Sequence, residues 1–349
     1  SVTACNGTVW AFSDTETDMI KDTDYMYASA KIRAAEGKDT ARARMDRLVE
    51  CRSVPALLAA VVDLGFLEEG DTPDTLETAL RHALDHAVAL VRNAVPEEEI
   101  YHFLLYKYDC SNLKVALKST ILGRDYSELY FPCGTFPVET LTDRLAAEDF
   151  TGIPQHMAKA YVEARDTYAK TGEVRAIDLT LDRACFAAIA DNVEKYKVPL
   201  FLRYTQAKAD LTNLQTAERL ATGHATRETA AALMHRAYVP GGTLPEELFF
   251  AEDGSVRDYE ELAAVLEDDT LRELLTKVLS DKNPPDGAFD NYTYRLFADL
   301  RFQAFGVEIP FWFLLIREAE IKNCRLIEAG LYAGLKPEEI RERVRVDYV

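Results

Sequence analysis

One segment of this chain is written three times. "YKYDCSNLKVALKSTILG" (106–123), "QAKADLTNLQTAERLATG" (206–223) and "REAEIKNCRLIEAGLYAG" (317–334) align on an acid: Asp109, Asp210 and Glu320, spaced 101 and 110 residues apart. An Asn stands three residues after each acid (Asn112, Asn213, Asn323), and a Gly closes each segment ten or eleven residues later (Gly123, Gly223, Gly334). Repetition at this period constrains the fold more than any composition figure, because one such unit cannot bury its apolar face alone.

The likeness extends to both sides. Upstream, a Pro (Pro96, Pro199, Pro310) separates two runs whose apolar residues recur at i, i+3, i+4 and i+7, as in Leu76, Leu80, Ala83, Leu84 and Ala87. That is the period of a helix. Downstream, "GTFPVETL" (134–141), "GGTLPEEL" (241–248) and "GLKPEEI" (334–340) place a Pro before an acid. Such a start loses no hydrogen bond to the proline and sets carboxylates on the positive end of the helix dipole, so each predicts a new helix. No period-two run of useful length interrupts the pattern, and the 16 Gly and 13 Pro sit mostly at segment edges. The expected fold class is all-α.

With 349 residues the chain is long enough for two or three sub-domains. The copies divide it into an N-terminal segment with a partial motif helix (1–38), three helical repeats (39–133, 134–240, 241–335) and a C-terminal closing helix (336–349). The tail "LKPEEIRERVRVDYV" reads as the first helix of a fourth copy. Packing of Glu338 to Tyr348 against residues 21–67 would close the three copies into a ring.

Residues at i and i+3 share a helix face, so each acid points with its Asn. They could be three ligand or metal sites, or the polar seams by which the copies join. Asn is a poor helix former and is kept where its amide is satisfied, and three occurrences favour architecture. Other chemical signals are thin. His82 and His86 have the i, i+4 spacing of helical metal ligands but no third partner, and a plain amphipathic helix accounts for them. Asp268-Asp269 has the look of the metal-binding acids of helical terpenoid synthases. Arg272 occupies the place where the next acid would fall, so an exposed helix start is the simpler reading. Glu97, Glu98 and Glu99 after Pro96 read as a helix first turn. There is no phosphate-cradling glycine loop, nucleophile elbow or Cys/His nucleophile arrangement. No catalytic residue, cofactor or metal is expected.

A net charge of −19 disfavours nucleic-acid binding and adsorption to anionic lipid, both of which need a basic surface. It suits docking on a basic protein partner. The longest apolar run, "IPFWFLLI" (309–316), is far short of the ~20 residues that span a bilayer. Six cysteines form no C-x-x-C pair and no leader is visible, so reduced thiols in the cytosol are expected, and the sequon at Asn6 carries little meaning.

"YDCSNLKVALKS", "DLTNLQTAERLATG" and "EAEIKNCRLIEAGLYAGLKPEEIRERV", with the early "DYMYASAKIRAAEG" and the stretch "AIDLTLDRACF", resemble the C subunits of archaeal and bacterial A/V-type ATPases, a family that includes the d subunit of the eukaryotic V-ATPase. The resemblance runs from about residue 24 to 345. It implies a funnel of three similar helical sub-domains about a pseudo-three-fold axis. It also implies a non-catalytic central-stalk role between the axle subunits of the ATPase head and the proteolipid rotor ring, at the cytoplasmic face of the membrane. On that resemblance Asp109, Asn112, Asp210, Asn213, Glu320 and Asn323, or the turns 132–137, 239–245 and 334–337, lie near an interface. Cys110, Ser111 and Glu320 depart from the family pattern, and residues 1–20 have no counterpart in it. A helical repeat adaptor without a rotary role is the alternative; it would stack openly with its ends apart.

Overall fold

The computed structural model describes residues 20–36, 40–281 and 285–345. Cys5, Asn6 and the tail residues 346–349 lie outside them. Among the described residues there is no strand, only an isolated antiparallel bridge between Phe250 and Val256. Fifteen α-helices are described: α1 (Met26–Ala35), α2 (Ala41–Val49), α3 (Val54–Asp63), α4 (Leu76–Arg92), α5 (His102–Leu122), α6 (Val138–Ala146), α7 (Gln155–Thr171), α8 (Val174–Tyr196), α9 (Pro199–Ala221), α10 (Arg227–Ala237), α11 (Tyr259–Val265), α12 (Asp269–Ser280), α13 (Pro285–Leu296), α14 (Glu308–Tyr332) and α15 (Pro337–Arg341). The all-α expectation holds.

Local chemistry sets many of the helix ends. Thr40, Ser53, Thr75 and Thr226 each accept a backbone N–H three residues on, satisfying a donor that the first turn leaves free. Asp268 caps α12 by accepting from Thr270 and Leu271, and Asp269 pairs with Arg272 at 2.7 Å. The acidic pair is therefore a helix start. Gly123 ends α5 at φ 61°, a left-handed cap that other residues adopt at a cost. The chain reverses between α8 and α9 within two residues, Lys197 and Val198, and Pro199 opens α9 where its missing N–H is not needed.

The stripe on α4 is buried as its spacing predicts: Leu76, Leu80, Ala83, Leu84, Ala87, Val88 and Val91 all face inward, mainly against α14 and α3. The motif helices α5, α9 and α14 are buried on several faces instead. A helix that is wet on one side only needs one apolar stripe, whereas these three run through the interior.

Three hydrophobic cores result. One gathers α1–α4 with the first halves of α5 and α9, with α14 along most of its length, and with α15. Another joins the second half of α5 to α6, α7 and α8. The last joins the second half of α9 to α10–α13. The change of core falls between Tyr108 and Cys110 on α5, and between Tyr204 and Leu211 on α9, beside the acid in each. In the shared core Phe103 of α5, Phe201 of α9 and Phe311 of α14 touch one another, with ring centroids 4.8, 5.4 and 6.2 Å apart. The three long helices thus converge on one aromatic cluster.

The first and last described helices lie on the same body. Arg341 of α15 pairs with Asp46 of α2 and, at 3.0 Å, with Glu50 at its C-terminal cap. Ser29 and Arg33 of α1 bond backbone groups at Gly306, Leu300 and Gln303, just before α14.

Candidate functional site

Each motif acid and Asn is buried, with at most 3% of its surface exposed. All three Asn side chains do the same thing. Asn112 donates Nδ2 to the Phe131 carbonyl at 2.9 Å and accepts the Phe131 N–H at 2.8 Å. Asn213 holds Val239 at 3.0 and 2.9 Å. Asn323 holds Arg345 at 2.8 and 2.8 Å. A primary amide carries a donor and an acceptor side by side, so it can replace a strand neighbour for one residue of an irregular segment. Two bonds of this kind contribute about 0.5–1.5 kcal/mol each, and more is lost if one partner is left buried and unpaired.

The acids of the first two copies grip the residues that follow. Asp109 accepts from the Thr135 N–H at 2.9 Å and from its hydroxyl at 2.6 Å. Asp210 accepts from the Thr243 N–H at 2.9 Å, its hydroxyl at 2.7 Å and the Leu244 N–H at 2.9 Å. The backbone passes so close that a Cβ on Gly134 or Gly242 would fall inside 3.0 Å of the carboxylate. Glycine is required there by proximity rather than by dihedral angle. Burial pushes the Asp109 carboxyl up to about 6, against the lowering effect of its hydrogen bonds to Thr135 and Phe136 and of nearby Arg92.

The third copy differs. Thr135 and Thr243 stand four residues after the Asn-held Phe131 and Val239; the equivalent after Arg345 is residue 349, outside the described residues. Glu320 reaches instead to Arg44 of α2, at 2.7 Å, and its other oxygen is 3.2 Å from Arg317. The Arg317 guanidinium lies 4.1 Å from the Phe66 ring centroid. One extra methylene lets this acid span to the other end of the chain.

Two expectations need correction. The turn 334–337 is not the counterpart of 132–137 and 239–245, because Asn323 holds Arg345. Helix α15 therefore occupies the place of α10 and of the 3-10 turn Ser127–Leu129, between a motif helix and its held segment, and does not begin a fourth copy. Likewise "PEEL" after Pro245 opens only a 3-10 turn, Glu246–Phe249, that runs into the Phe250–Val256 bridge. His82 does not face a metal cluster: its Nδ1 lies 2.6 Å from Asp71 on an exposed surface.

Sequence reasoning missed a cavity of about 440 Å³ framed by α4, α5, α8, α9, α13 and α14. Lys107 and Lys208 line it, each two residues before its acid, and Glu318 stands at the same register in the third copy. Lys107 pairs with Glu318 at 2.5 Å, and Tyr108 donates to the same carboxylate at 2.8 Å. Lys322 and Arg345 pair with Asp290 at 2.9 and 3.0 Å. Burial alone would raise Glu318 and Asp290, yet these cations hold both below the usual carboxylate range. Lys208 is half-buried, open to the cavity, but the protein around it pushes its pKa down to about 8, helped by Lys322 and Lys107. The Lys-x-acid register was readable in the first two copies and would have pointed here.

No helix among the described residues is long and apolar enough to cross a membrane. The family model of the ATP synthase (C/AC39) subunit matches residues 28–343. The C subunit of the V-type sodium ATPase of Enterococcus hirae is 23% identical, covering 93% of this chain and 99% of its own length. The C subunit of the A-type ATP synthase of Thermococcus onnurineus is 23% identical over 96% and 94%. The C subunit of the V-type ATP synthase of Deinococcus radiodurans is 25% identical over 92% and 91%. With a family match over residues 28–343, which takes in all six motif residues and the cavity, the chain belongs to the ATP synthase (C/AC39) subunit family.

Proposed function

We propose that this chain is a non-catalytic central-stalk subunit of a rotary A/V-type ATPase, seated between the axle of the soluble head and the membrane proteolipid ring, and that it passes torque from one to the other. The observation that carries the reading is the match to these C-subunit relatives over more than nine-tenths of this chain. A mechanical role also suits how the body is tied. The acid–Asn pairs at Asp109/Asn112, Asp210/Asn213 and Glu320/Asn323 act as internal seams between three units related by a pseudo-three-fold axis, with divisions near 133 and 240, rather than as contacts for a partner. They are buried, and their hydrogen-bonding groups turn to the chain's own backbone or, for Glu320, to Arg44 and Arg317. Side chains exposed at the same turns, such as Pro132, Pro137 and Pro245, are left to meet axle or ring.

Reconstitution tests the proposal. A complex assembled without this chain should hydrolyse ATP without moving ions, and adding the purified chain back should restore coupling. Recovery of the native chain alone, or coupling that is indifferent to its removal, would overturn it.

A further inference from the structure

We propose that the central cavity is a binding site for a single carboxylate, held by the Lys208 ammonium between the paired Lys107 and Lys322. The charge pattern of its walls carries the inference. Four cations and three anions line the cavity: Lys107, Lys208, Lys322 and Arg325 against Asp182, Asp290 and Glu318. Asp182 is engaged by Lys114 at 2.5 Å, and Arg325 by Glu77 at 3.0 Å. Glu318 is engaged by Lys107 and Asp290 by Lys322. Lys208 remains, with no hydrogen bond or ion pair to its ammonium among the described residues.

An ammonium in a confined space costs free energy unless an anion faces it. The charged groups around Lys208 come from three helices: Lys107 on α5, Asp290 on α13, Glu318 and Lys322 on α14, with Arg345 beyond. Both carboxylates are already satisfied by other cations, so they offset the Lys208 charge only in part, and its pKa of about 8 reflects that shortfall. An incoming carboxylate would accept from Lys208 and from spare N–H groups of Lys107 and Lys322, and would raise the Lys208 pKa. Binding above neutral pH therefore takes up a proton. The volume of about 440 Å³ admits an organic acid or the end of a peptide. Nothing in this inference depends on the rotary reading.

The test uses the full chain, titrated at constant ionic strength with sodium acetate, with N-acetyl-trialanine as the free acid, and with its C-terminal amide. Backbone amide shifts on α5, α9 and α14 are followed by NMR. Saturable shifts at cavity residues with acetate identify a free small anion as sufficient; shifts with the peptide acid alone identify a polypeptide carboxylate. In either case the amide should give none, and Lys208→Met should weaken binding tenfold or more. Independently of any variant, raising the pH from 7 to 9 should weaken binding about tenfold, as the protonated fraction of a group with pKa near 8 falls. No saturable shift with either acid, equal shifts with the amide, shifts that survive Lys208→Met, or an affinity flat in pH would overturn the proposal.

Discussion

Replacing Asn213 by Asp changes one atom group and should convert a pH-independent seam into a pH-dependent one. Asn213 is fully buried, with Nδ2 at 3.0 Å from the Val239 carbonyl and Oδ1 at 2.9 Å from the Val239 N–H. A protonated Asp can reproduce both bonds, its hydroxyl donating where the amide did. An ionised Asp cannot: it keeps the N–H, but sets a carboxylate oxygen against the carbonyl, with the Asp210 carboxylate one helical turn away. Burial and a like charge together raise a carboxyl pKa by about 3 units in such settings. At 1.36 kcal/mol per unit that is roughly 4 kcal/mol between the two protonation states. The folded pKa lies above the unfolded one, so the variant is close to wild type below about pH 4 and loses stability as pH rises to about 7. Asn213→Ala, by contrast, leaves both Val239 groups buried and unpaired at every pH, a cost of about 2–5 kcal/mol. Urea midpoints for the three proteins between pH 4.5 and 7.5, read as differences from wild type, and hydrogen exchange at the Val239 amide provide the measurement. An Asn213→Asp deficit that is flat with pH, with the Val239 amide still protected in Asn213→Ala, would refute the bracketing role.

Other outcomes follow from the same geometry. Gly242→Ala drives a methyl group into the Asp210 carboxylate and should cost about 3 kcal/mol; Gly242→Ala combined with Asp210→Ala should cost less than the sum of the two changes, as measured by thermal unfolding. Arg44→Ala leaves Glu320 buried with Arg317 alone, and should destabilise by about 3–5 kcal/mol in denaturant titrations. Asp109, with a folded pKa of about 6, binds a proton more readily folded than unfolded. Its contribution is greatest below pH 4 and falls as pH rises to 6; removing the titration with Asp109→Asn should flatten that part of the stability profile.

The repeat, the all-helical class and the acid–Asn register were legible because they are local. A period of 3.6 and a three-residue spacing need no knowledge of the rest of the chain. The partners were not legible, because Phe131, Val239 and Arg345 stand 19, 26 and 22 residues after their Asn, and the intervening segment is a 3-10 turn, α10 or α15. A Pro followed by acids is a general helix start, so "LKPEEI" passed for an echo of "GTFPVET" although it lies inside the unit. The shared Gly-Thr-x-Pro of 134–137 and 242–245 was the better guide, since Gly admits the carboxylate and Thr supplies the N–H and hydroxyl. Lys208 was hidden for a different reason: its character comes from burial and from the charges of Lys322, Asp290, Lys107 and Glu318, which the fold brings around it, and from none of its sequence neighbours.

The seam at Glu320 has a consequence for how the molecule is made. Asp109 finds Thr135 only 26 residues away and Asp210 finds Thr243 at 33, whereas Arg44 must wait for Glu320 across 276 residues. On a ribosome the first two junctions can form while synthesis continues, and the last cannot begin until residue 320 of 349 has emerged. During that interval Arg44 lacks the buried Glu320 carboxylate that it meets in the folded chain. The nascent protein stays open on one side until α14 arrives, and a chain cut short before residue 320 never shuts.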